Sequence, residues 1–235
     1  MTTNADPNNS TSELSKTNRV YEELRRRIRE LKLLPGSHLR KDEIALELGV
    51  SRAPVSEAIT RLAEEALVDI FPRHGSFVAP IRSQDVLESF LIRTALEVEV
   101  ARRVARIVND ELKDRLKKNM EEQIAALEKE DFMLFYELDK EMHTTLFAAI
   151  DCPRASRLHD SALAPMDRPR QLHLPEKERI QATLVEHQRI IDAIATGDPE
   201  YAAAAMRAHM SMAERSVRLE LARIEAEGST PTPET

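Results

Sequence analysis

The chain has 235 residues and a formal net charge of −7; 42% of its residues are hydrophobic and 4% aromatic, with 5 Gly and no Trp. This is the composition of a helix-rich soluble protein with one large or two smaller domains. It excludes a membrane span, because no apolar run approaches bilayer length, and a disulfide framework, because Cys152 is the single cysteine.

The N-terminal run MTTNADPNNSTSELS is polar and lacks the basic and apolar parts of a signal peptide. Residues 1–17 are expected as a disordered tail, and the chain as a cytoplasmic protein. A helix follows over 18–34, with Val20, Leu24, Ile28 and Leu31 on its apolar side. Arg25, Arg26, Arg27 and Arg29 lie mostly on the other side, as a solvated basic face or a phosphate contact. Lys41 to Leu48 carries Ile44, Ala45 and Leu48 at helical spacing, and Gly49 can close that helix with a positive φ. Ser51 stands where an N-cap is wanted, and Pro54 falls in the first turn of the next helix, Arg52 to Glu65. That helix turns Val55, Ala58, Ile59 and Leu62 inward, and Arg52, Ala53, Ser56 and Thr60 outward. Leu67–Phe71 and Ser76–Ala79 are short β-prone runs around Pro72-Arg73-His74-Gly75.

Two helices, a tight turn and a hairpin make a winged helix-turn-helix, a shape that lays its second turn helix in the major groove of double-stranded DNA. Small outward residues allow close approach to base edges, and the positive helix end favours phosphate. The candidate DNA-contacting residues are Arg40, Ser51, Arg52, Ala53, Ser56, Thr60, Arg73, His74 and Gly75. The run Pro35-Gly36, Leu48-Gly49-Val50-Ser51-Arg52-Ala53-Pro54-Val55, Glu57-Ala58, Leu62 and His74-Gly75 resembles the GntR family of bacterial transcription regulators. Where the family usually has an Arg that contacts DNA, this chain has Ser56. Charge is divided accordingly. Residues 18–82 hold 12 basic and 10 acidic side chains, and residues 83–235 hold 21 and 29. The acid excess thus lies outside the reading head and discourages nonspecific DNA binding.

After a linker at 80–83 the pattern is helical throughout. Helices are expected near 84–108, 110–129, 131–150, 153–170, 176–196 and 199–227, broken at turn and cap residues. The fold class is therefore mainly α. A winged helix-turn-helix over 18–80, with three helices and a β-hairpin wing, precedes an all-α bundle of about six helices over 84–228; residues 229–235 form a second disordered tail.

Within the bundle, Asp139 and His143 lie four apart and so leave the same helix face, which is otherwise apolar. His187, between Leu184 and Ile190-Ile191, and His209, among Met206, Met210 and Met212, also point inward. A lone inward histidine is more often a hydrogen-bonded core residue. Four such groups on three helices can converge, and three imidazoles with one carboxylate suit Zn above all, or Ni, Mn or Fe. The region resembles the FCD ligand-binding domain of the FadR-type branch of the GntR family. The matching residues are Asp139 and His143, then Glu186-His187 ahead of Ala193-Ile194 and Gly197-Asp198, then His209. The resemblance implies a metal site of Asp139, His143, His187 and His209 and a small carboxylate effector. It also matches Arg93 and Glu97, and implies that Arg93 either pairs with the effector or forms an ion pair with Glu97. Asp151-Cys152-Pro153 departs from the family's Asn-containing turn.

The expectation is a ligand-responsive repressor that acts as a homodimer on an inverted-repeat operator. An alternative makes the metal purely structural, or itself the signal. A DNA-linked metalloenzyme is a weaker third reading, because no further acid or base is placed as a catalyst; no catalytic residue is assigned and the chain is read as a non-enzyme.

Overall fold

The computed structural model describes residues 7–172 and 177–226. The first helix, α1 (Pro7–Arg29), starts well before the expected residue 18 and takes in the polar stretch 7–17 that composition assigned to a disordered tail. Proline suits a helix start, where its missing N–H costs nothing. Later in the helix Thr17 is buried and donates to Glu57 Oε2 at 3.1 Å, so local polarity was offset by a partner 40 residues away. The helix also ends earlier than expected, at Arg29, because Leu31 adopts a left-handed conformation (φ 54°). Residues 1–6 and 227–235, including the expected C-terminal tail, lie outside the described residues, as does the break at Leu174-Pro175.

The helix-turn-helix forms as its residues dictate. α2 (Lys41–Leu48) ends on Gly49, left-handed at φ 63°. α3 (Arg52–Glu64) buries Pro54, Val55, Ala58, Ile59 and Leu62. Ser51 occupies the N-cap position with extended backbone, but its hydroxyl makes no capping hydrogen bond. β1 (Val68–Phe71) and β2 (Gly75–Val78) pair antiparallel, with Val68 opposite Val78 and Phe71 opposite Gly75. The wing is thus displaced by a residue from the expected runs, and its tip is Pro72-Arg73-His74. Val20, Leu24, Ile28, Ile59, Leu62 and Leu67, all at 0% exposure, make a shared core of α1, α3 and the wing.

Two compact units result. Among the described residues the first takes in 7–86, 164–171 and 222–226, and the second 87–163, 172 and 177–221. In the first, Arg168 is 1% exposed and donates to the carbonyls of Ala79 (2.5 Å) and Ala66 (3.5 Å). Those carbonyls bracket the hairpin, so one guanidinium holds both ends of the wing. Burial pushes its pKa down to about 10.

The bundle helices are α4 (Ser83–Ile107), α5 (Asp110–Glu128), α6 (Phe132–Ala149), α7 (Pro153–Leu172), α8 (Lys177–Ala195) and α9 (Pro199–Ala226). α5 and α6 are capped at their starts as the turn residues suggest. Asn109 accepts from Leu112 N–H at 2.9 Å and Asp131 from Leu134 N–H at 3.0 Å, each satisfying an otherwise unbonded amide. α5 packs against α6 and α8. Against those neighbours it presents Leu116, Met120, Ala126 and Leu127, with two buried amides among them, Asn119 and Gln123.

Candidate functional site

The second unit brings three histidines together. His143 on α6, His187 on α8 and His209 on α9 are 2%, 0% and 4% exposed, and one ring nitrogen from each lies within 4.8 Å of the other two. Two nitrogens that share an ion at about 2.1 Å cannot stand more than about 4.2 Å apart, so the trio lies at or close to the spacing an ion requires. Asp139, one turn before His143, is buried beside His187, its Oδ1 3.3 Å from Nε2, but outside the tight trio.

The far side of each ring is held. His187 Nδ1 lies 2.8 Å from Gln123 Oε1, and His209 Nδ1 lies 2.9 Å from Glu186 Oε2. His143 Nδ1 comes within 2.5 Å of Glu97 Oε2, at an angle short of a regular hydrogen bond. Outer partners of this kind set which nitrogen faces a metal. The Nε2 atoms of His143 and His187 are buried with no hydrogen-bond partner, an expensive state unless something binds there. Burial lowers the pKa of His187, and pushes His209 down to about 4 despite the pull of Glu186. Neutral imidazoles are the form that ligates. Burial would raise Glu186, but His209 and Arg179 outweigh it and bring its carboxyl down to about 2.

Glu97 is the hub of an adjoining cluster. Its Oε1 accepts from Arg93 Nε at 2.7 Å and stands 3.1 Å from His159 Nε2. Burial opposes its charge, yet Arg93 and His143 hold the carboxyl well below its usual range. Of the two roles open to Arg93, the ion pair with Glu97 is therefore formed. His159 was missed by the sequence reading. It sits next to an exposed residue, Leu158, and only its place one turn before the buried Leu163 marks it as inward. Gln123 and Asn119 were missed too; two amides four apart inside the apolar stripe of 110–129 were the available signal.

In the first unit, Ser51, Arg52, Ala53 and Thr60 are exposed along α3, with Ser56 half-buried between them. Arg52 pairs with Asp42 at 3.0 Å and Arg40 with Glu43 at 2.9 Å, both on the surface. Arg73 and His74 are exposed at the wing tip, where Arg73 is left-handed at φ 67°. Gly75 has φ 111°, and a Cβ there would stand 2.6 Å from His38 Nε2, whose ring stacks on Phe77. Glycine is thus required by both conformation and space. The arginines of the Arg25–Arg29 run are matched by carboxylates. Arg25 pairs with Glu65, Arg26 with Glu23 and Glu30, Arg27 with Glu23 and Glu47, and Arg29 with Asp167.

Comparison with known proteins agrees with this division. Residues 16–78 match the bacterial regulatory proteins of the gntR family, and residues 88–212 match the FCD domain. The HTH-type transcriptional repressor RspR of Escherichia coli is 33% identical over 85% of this chain and 87% of its own length. The gluconate operon transcriptional repressor of Bacillus subtilis is 31% identical over 77% of this chain and 76% of its own. The solved structure of E. coli McbR/YncC superposes with a TM-score of 0.73 at 17% identity, covering 88% of this chain and 98% of that one. Among the described residues no helix is long and apolar enough to cross a membrane.

Proposed function

The chain belongs to the gntR family of bacterial regulatory proteins, as a DNA-binding transcription regulator with an FCD domain, and from that premise we propose a metal-dependent repressor responsive to a small carboxylate. His143, His187 and His209, with Asp139 beside them, would hold one divalent transition metal ion, Zn in the first place. The observation that carries this is the convergence of three buried rings with nitrogens within 4.8 Å of one another, where the Nε2 atoms of His143 and His187 make no regular hydrogen bond and the Nδ1 atoms of His187 and His209 are engaged. A bound ion supplies a Lewis-acidic anchor for a carboxylate oxygen. Arg93 is the second positive point, and an effector carboxylate would take the place that Glu97 now holds on it. Two relatives named as repressors favour repression over activation. The protein would act as a homodimer on an inverted-repeat operator, with effector binding shifting the balance between DNA-competent and DNA-incompetent arrangements.

A second reading, in which the ion is purely structural, is favoured by one fact: the three histidines come from three helices, so an ion would tie them together. Elemental analysis of purified wild type beside His187→Ala tests the site. About one equivalent of metal per chain, lost in the variant, supports it. Metal-free wild type that stays so after incubation with Zn, Ni or Mn sinks it. Thermal shift of metal-loaded protein against small carboxylates then separates the readings. An effector response that chelation abolishes while the fold survives supports anchoring; unfolding on chelation supports structure.

A further inference from the structure

Four groups from three helices of the bundle form a buried relay that ends at Nδ1 of His187. Asn119 Nδ2 donates to the Leu138 carbonyl at 3.1 Å. Gln123 Nε2 donates to Asn119 Oδ1 at 2.7 Å, and Gln123 Oε1 faces His187 Nδ1 at 2.8 Å. Asn119, Gln123 and His187 are 5%, 0% and 0% exposed, so solvent does not compete for any of these bonds.

The direction of the relay follows from its fixed end. A backbone carbonyl can only accept, so Asn119 must present its NH2 group to Leu138 and its oxygen to Gln123. Gln123 must then present its own NH2 to Asn119, which turns its oxygen toward His187. An oxygen there needs a donor, so the proton of neutral His187 sits on Nδ1 and Nε2 keeps its lone pair. That nitrogen makes no regular hydrogen bond, and Asp139 Oδ1 stands 3.3 Å from it. The other two rings face carboxylates, Glu97 and Glu186, and so each acquires a nearby negative charge. On its Nδ1 side His187 faces a neutral amide instead, and the carboxylate near this ring, Asp139, lies on its Nε2 side.

We infer that Asn119 and Gln123 are positioning residues that preset His187 as the Nδ1–H tautomer, leaving Nε2 ready for a metal ion. The inference rests on the metal reading above and adds to it two residues on α5, a helix that carries no ligand.

The test uses metal-free, full-length protein and its histidine 15N spectrum near neutral pH, with His187 assigned by comparison with His187→Gln. Wild type is expected to show protonated Nδ1 and bare Nε2. Gln123→Met removes the acceptor at near-constant volume and should release His187 to a mixture of tautomers. Its Zn affinity should fall by roughly ten- to a hundredfold. Asn119→Leu leaves Gln123 free to rotate and should do the same more weakly. A loss of packing alone would lower stability without moving the nitrogen shifts. Wild-type His187 protonated on Nε2 would overturn the inference, as would an unchanged tautomer in folded Gln123→Met. If Gln123→Met does not fold, wild type and Asn119→Leu still decide. Failure of the metal reading looks different: wild type would bind no added Zn, whatever the tautomer.

Discussion

Glu97 and His159 stand 62 residues apart in the chain, yet Glu97 Oε1 lies 3.1 Å from His159 Nε2, with each side chain 1% exposed. The ring also packs on Phe147, 4.4 Å between centroids. Burial alone would lower the His159 pKa, but Asp160 and Glu97 outweigh it and the net shift is upward.

That shift sets a pH dependence. A histidine whose folded pKa is raised stabilises the fold fully below its unfolded value, about 6.5, and loses that contribution as pH rises through the folded value. His159→Gln should therefore lower the stability of metal-free protein most near pH 6, by on the order of 1–3 kcal/mol. The gap to wild type should narrow toward pH 9. Urea titrations at several pH values check this, and a gap that widens with pH would contradict the assignment.

Arg52 is exposed at the start of α3 and pairs with surface Asp42. Arg52→Ala should weaken operator binding by roughly 1–3 kcal/mol, while Asp42→Ala should leave fold stability within about 0.5 kcal/mol. Fluorescence anisotropy with operator DNA reads the first and thermal unfolding the second. Unchanged affinity would strike Arg52 from the contact surface.

Gly75→Ala places a methyl against the His38 ring and forces a side chain onto φ 111°. The expected loss is about 1–3 kcal/mol. Adding His38→Ala should recover only the part due to the clash, since the backbone strain remains. Chemical denaturation of the two variants separates the parts, and full recovery would mean that the backbone tolerates alanine.

Arg168 serves two carbonyls with one planar fork. Lysine keeps the charge but cannot span both acceptors in that geometry. Arg168→Lys is expected to cost about 1–3 kcal/mol in unfolding experiments, because at least one buried carbonyl loses its donor. A neutral result would show that water or a neighbour can replace the guanidinium.

Much of the first unit was legible in the sequence because its signals are local. Gly49, Pro54 and the stripe Val55, Ala58, Ile59 and Leu62 each act within a turn or two of themselves. The histidines of the trio were found by helical spacing and by resemblance to the FCD domain, and the structure brings them together with Asp139 at the margin. What was not legible depends on distant partners. Thr17 is held by Glu57, Arg168 by Ala79, and His187 by Gln123, across 40, 89 and 64 residues. No periodicity records such pairs. The helical state of residues 7–17 was hidden for the same reason, because polar composition alone reads as disorder.

The carboxylates that face the arginines of the reading head have one more consequence. Arg40 and Arg52 would each trade a side-chain carboxylate for a phosphate on meeting DNA, so Glu43 and Asp42 act as resident mimics of the backbone they precede. An ion already matched gathers little atmosphere of its own, and the duplex gives up about 0.9 of a counterion for each phosphate neutralised. Affinity should therefore fall by about 0.9 log unit per log unit of salt for each phosphate the head neutralises. The head is built to ignore DNA that offers charge alone.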